Sequence, residues 1–167
     1  MKTSRMTKLA LLTAVALILS LVESALPPLA PIPGIKLGLA NIITLTALYY
    51  MTPADAFIVL LMRILLSALF AGQAMSMIYS LIGGLFCFVA CLVCKKFLSA
   101  RYIVLTSMVG AIFHNVGQIL MAYILTQTVG IFLYFPTLLL SGLLTGLFTG
   151  LCAFYMHKYT APFFSQP

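Results

Sequence analysis

Arg63 stands in the middle of an apolar run, Ala54–Ala71, and a charge in that setting must do something. On a lipid face it would cost at least a few kcal/mol, so its guanidinium is expected to face the interior of a helix bundle or a water-filled cavity. The nearest candidate partner is Glu23, about 7 Å outward of the middle of the first apolar run at 1.5 Å per residue. An Arg side chain reaching along the bundle covers that difference. Such a pair either fixes helix packing or takes part in ligand binding or its gating. A second polar group lies in Gly110-Ala-Ile-Phe-His114-Asn115-Val-Gly117-Gln118. Gly110, His114 and Gln118 recur every four residues and share one helix face, with Asn115 and Gly117 beside them. Three adjacent polar side chains on a glycine-bearing face are read as lining a cavity, against the plainer reading of interhelical hydrogen bonding.

The chemistry these groups can do is limited by what surrounds them. Glu23 and Asp55 are the two acids of the chain, too few to gather around a metal as phosphoryl and prenyl-diphosphate enzymes require. Cys91 and Cys94 form a C-x-x-C, but a zinc site needs two further ligands, and they are read as small apolar residues of a membrane helix. No catalytic set, metal site or cofactor site is expected, and the chain carries no Walker A sequence.

The elements that position these residues follow from composition. Of 167 residues, 63% are hydrophobic and 7% charged, against about a quarter charged in a soluble domain. That leaves too little polar surface to face water, so the chain reads as an all-α integral membrane protein with one transmembrane domain over residues 1–167. Six spans are expected, at residues 9–26, 37–51, 54–71, 75–94, 103–126 and 135–157. The second and third are separated by Thr52-Pro53-Ala54-Asp55, in which Thr52 caps, Pro53 takes the first helical position and Asp55 complements the helix dipole. The first span resembles a signal peptide but carries an acid where small-x-small cleavage would occur, so it is read as a mature helix.

The net charge of +7 would imply nucleic acid in a soluble protein; here the basic residues lie between apolar runs and report topology. Lys2, Arg5, Lys8, Lys95, Lys96, Arg101 and Lys158 fall on one side and Lys36 on the other, which puts both termini in the cytoplasm. Pro27, Pro28, Pro31 and Pro33 make the first outer connection a stiff extended loop. Asn41 enters the second span at the depth of Glu23. Glu23, Lys36, Asn41, Arg63, His114, Asn115 and Gln118 therefore converge in the outer half of the bundle, with a net charge of +1 that favours an anionic or amide-rich ligand. Gly142, Gly146 and Gly150 on the sixth span, and Ala10-x-x-x-Ala14 and Ala16-x-x-x-Ser20-x-x-x-Ser24 on the first, are small-residue stripes suited to close helix packing or to docking of another subunit.

Pro33-Gly-Ile-Lys36-Leu-Gly38-Leu-Ala-Asn41, the mid-span Arg63 and His114-Asn115-x-Gly117-Gln118 together resemble the bacterial family called heptaprenyl diphosphate synthase component I, or Gx transporter family, over about residues 5 to 160. That family is similar to the substrate-binding S components of energy-coupling-factor transporters, six-helix proteins with cytoplasmic termini. The resemblance implies an S-component-like bundle in a bacterial cytoplasmic membrane, with Lys36 and Asn41 as lid and pocket residues. Ala10 and Ala14 would be the stripe that docks on a transmembrane coupling subunit served by ATPases on separate chains. It implies uptake of a small anionic or isoprenoid-related compound, with no role for nucleic acid. The alternative is a non-catalytic membrane partner of a soluble prenyl diphosphate synthase. A stand-alone secondary transporter is disfavoured, because no repeat or paired broken helices are seen.

Overall fold

The computed structural model describes residues 2–25, 38–72 and 74–164. These form six α-helices: α1 (Lys2–Ala25), α2 (Asn41–Tyr50), α3 (Pro53–Ala71), α4 (Ala74–Phe97), α5 (Ile103–Thr126) and α6 (Phe135–Phe164). Short 3-10 turns precede α5 (Ala100–Tyr102) and α6 (Val129–Tyr134). No strand is found among the described residues. Five of the helices are long and apolar enough to cross a membrane. Their outward faces carry Leu11, Ile18, Leu69, Phe70, Val93, Leu120, Leu144 and Phe148, all exposed. In water such a surface would drive aggregation; in a bilayer it is the solvent-matched surface, so the chain is a membrane protein.

The exception is α2. An apolar span over residues 37–51 was expected, but the helix holds ten residues, about 15 Å against a hydrocarbon core of about 30 Å. Gly38, in a left-handed conformation at φ +83°, delays the start of the helix to Asn41. The short helix is buried on all sides: each residue from Ile42 to Leu48 is buried, with α1, α3, α4 and α6 packed around it. The backbone on either side of α2 is tied to the two ends of α1. At one end Arg5 donates to Asp55 Oδ1 from Nε (2.9 Å) and Nη2 (2.5 Å), and at the other Glu23 holds the backbone just ahead of α2. Those two ends are about 27 Å apart along α1.

The α2–α3 hairpin turns as its sequence requires. Thr52 Oγ1 accepts from the Asp55 N–H at 3.2 Å, and Pro53 occupies the first turn. Asp55 adds a role beyond the helix dipole, since its carboxylate ties the start of α3 to Arg5 of α1. The same end gathers Lys95, whose Nζ donates to the Leu48 carbonyl, and Tyr50, whose hydroxyl donates to the Met156 carbonyl at 3.2 Å.

Two small-residue stripes face inward. A Cβ at Gly146 would lie 2.7 Å from Met108 Cα and one at Gly150 2.8 Å from Val104 Cα. The α6 stripe is therefore consumed by packing on α5, and Ser107 and Thr149 seal the same seam with a 2.8 Å hydrogen bond. On α1 the buried side is Leu12, Ala16 and Ser20, with Ser20 bonded to Ser67 of α3 at 3.0 Å. Ala10 and Ala14 lie on the exposed side of α1.

Candidate functional site

A polar layer crosses the bundle near the outer end of α1. Glu23, 6% exposed, projects from α1 and accepts backbone N–H bonds from Gly38, and from Leu39 at 3.1 Å. The first turn of α2 is preceded by Ala40, which has no side chain able to cap it. The carboxylate thus serves as a cap delivered from another helix, a placement that its charge favours at a helix N-terminus. Gly38 is required at that point for two reasons: its φ is positive, and a Cβ there would lie 2.7 Å from Asn41 Nδ2.

Arg63 of α3 is 4% exposed. Its Nη2 donates to Asn41 Oδ1 at 2.9 Å; among the described residues Arg63 and Glu23 form no direct ion pair, and Glu23 acts on the guanidinium as a charge at longer range. A buried guanidinium needs both kinds of partner, a countercharge and acceptors for its forked donors. Arg63 Nε is buried with no hydrogen-bond partner among the described residues. The Asn41 amide continues the chain, with Nδ2 at 3.4 Å from Nδ1 of His114. The imidazole also hydrogen-bonds the backbone of Gly83 on α4. Five helices, α1, α2, α3, α4 and α5, are tied together by this one layer.

The residues predicted on α5 part company. His114 and Gln118 both press against Gly83, where a Cβ would lie 3.0 Å from His114 Cε1 and 2.9 Å from Gln118 Cγ. Asn115 faces the other way and donates from Nδ2 to the Leu138 carbonyl of α6 at 2.6 Å. Gly110 meets Cys87 and Cys91 of α4. The four-residue period thus marks the α4–α5 contact, while Asn115 is glue between α5 and α6. Lys36 lies outside the described residues.

Two small cavities adjoin Asn41, each of about 10 Å³, room for one water. They share Asn41, Leu45, Cys87 and Cys91; one extends to Ser107 and Thr149, the other to Thr44 and Phe88. Asn115 and Gln118 line neither. The Thr44 hydroxyl, which borders the second cavity, is buried with no partner among the described residues. Sequence reasoning did not single out Thr44, because a Thr in an apolar helix most often returns its hydroxyl to its own backbone, as Thr46 does to Ile42 at 2.7 Å.

Residues 12–156 match the family model described as heptaprenyl diphosphate synthase component I. The chain belongs to that family. No curated protein and no solved structure matches it. For this member of the heptaprenyl diphosphate synthase component I family, the matched region takes in Glu23, Asn41, Arg63, His114 and both small cavities. It also includes Ala14 but begins after Ala10.

Proposed function

We propose that the chain is the membrane-embedded substrate-capture subunit of an uptake system of the energy-coupling-factor type. It crosses a bacterial cytoplasmic membrane six times, with both termini inside. The observation that carries this reading is Arg63: a buried guanidinium whose Nε has no hydrogen-bond partner among the described residues, bonded to an Asn41 that borders two cavities. For packing alone, apolar groups often serve as well as or better than buried charges. A cation with a spare donor suits a small anionic or amide-bearing solute, isoprenoid-related compounds with an acidic head among them. Each cavity has room for about one water, so such a solute enters only if α2 shifts against α4, and the Glu23 bonds to Gly38 and Leu39 are among the contacts that hold α2 in place. Energy comes from ATPases on other chains through a transmembrane coupling subunit docked on the exposed Ala10 and Ala14 side of α1. This chain itself is not an enzyme.

The second reading, a non-catalytic membrane component associated with heptaprenyl diphosphate synthase, is favoured by the family's description. Affinity purification of the tagged chain from its own membranes separates the two. The capture-subunit reading predicts that a coupling subunit and ATPases co-purify, and that Ala14→Leu abolishes this by holding the helices apart. Recovery of a soluble prenyl diphosphate synthase in their place, unaffected by Ala14→Leu, would favour the second reading. The proposed orientation predicts that a cysteine introduced by Pro31→Cys is labelled by an impermeant thiol reagent from outside and one introduced by Ser99→Cys is not; the reverse pattern would overturn it.

A further inference from the structure

Cys87 and Cys91 of α4 are four residues apart and therefore share a face. Both are buried free thiols, and both border each of the two cavities beside Asn41. They also converge across the helix interface. A Cβ built on Gly110 of α5 would be 2.5 Å from Cys91 Sγ and 3.1 Å from Cys87 Sγ, so both sulfurs point at one spot that glycine alone leaves open. The Thr106 carbonyl is a further oxygen nearby, 3.7 Å from Cys91 Sγ.

We propose that Cys87 and Cys91 form a binding site for one monovalent thiophilic ion, of the copper(I) or silver(I) class. Soft sulfur ligands select soft ions. Zinc would require four ligands, and among the described residues no group of three or more His, Cys, Asp and Glu side chains is placed to hold a metal. Charge balance favours the same class. One cation enters, one thiol gives up its proton to bulk water to become the thiolate, and the second thiol stays protonated and shares a sulfur lone pair. The net charge of the buried site is then unchanged, which a low-dielectric interior demands. Cys94, half-buried one turn further along, borders neither cavity. The site is thus the C-x-x-x-C pair and not the C-x-x-C pair visible in the sequence. This inference stands on the thiols and the cavities, independently of the transport reading.

The test is anaerobic titration of the purified full-length chain in detergent with copper(I), against a chromophoric copper(I) chelator. One ion per chain is expected. Cys87→Ser and Cys91→Ser should each weaken binding at least 100-fold, Gly110→Ala should weaken it with both thiols intact, and Cys94→Ser and Cys152→Ser should leave it unchanged. Copper K-edge absorption of the wild-type complex, which needs no variant to fold, should show two sulfur neighbours. Retention of affinity in Cys87→Ser or Cys91→Ser, loss in Cys94→Ser, or a wild-type shell of three sulfurs or of oxygen and nitrogen alone would overturn the proposal.

Discussion

Replacing Arg63 by Leu is expected to destabilise the protein by about 1.5–3 kcal/mol, the range for losing a hydrogen bond made by a charged group. The loss has two sources. The attraction between Arg63 and the buried Glu23 carboxylate is lost, and Asn41 Oδ1 loses its 2.9 Å donor. Glu23→Gln on its own removes one of the two carboxylate oxygens that hold Gly38 and Leu39 and leaves Arg63 uncompensated. The double variant, Glu23→Gln with Arg63→Leu, should be more stable than the sum of the single losses, because the attraction between the two charges is then lost only once. Thermal unfolding of the four proteins in one detergent measures this. Strictly additive losses would mean that the two charges do not interact.

An effect at least as large is expected from Gly146→Leu. The space for its Cβ is bounded at 2.7 Å by Met108 Cα and at 3.2 Å by Met108 N. These are backbone atoms, which cannot rotate aside as a side chain would. Accommodating Leu requires α5 and α6 to separate, and that breaks the Ser107–Thr149 and Asn115–Leu138 bonds along the same seam. The expected result is a loss of several kcal/mol, seen as a collapse of the monodisperse peak in size-exclusion chromatography. Gly130→Ala is the control, since the nearest atom to its Cβ is a side-chain methyl at 3.8 Å, and it should be nearly neutral. A well-folded Gly146→Leu protein would show that the helices are not packed as described.

Long apolar runs announced α1, α3, α4, α5 and α6, because a lipid-facing helix must be apolar over most of its length whatever its neighbours. The Thr52-Pro53-Asp55 cap was legible for a related reason: it is a local hydrogen bond between residues three apart. The length of α2 was not, since an apolar run says nothing about where the backbone stops being helical, and Gly38 does that through its dihedral. Partner choice was also hidden. The sequence places Glu23 within reach of the Arg63 side chain, but that Glu23 binds backbone just ahead of α2, and that Asn41 is the hydrogen-bond partner of Arg63, depends on how α2 is inserted between α1 and α3. The split of Asn115 from His114 and Gln118 has the same origin. Neighbouring positions on a helix differ by about 100° and can face different partners, and only the placement of α4 and α6 decides which.

In the proposed function the Arg63–Asn41 site holds a small molecule. Native mass spectrometry of the chain purified from its own membranes, beside the Asn41→Leu variant, tests it most directly. Wild-type protein is predicted to retain a small anionic or amide-bearing species that dissociates on activation, and the variant, still folded, is predicted to lose it. Identical spectra for the two proteins, with no bound species in either or with the same one undiminished in the variant, would contradict the account.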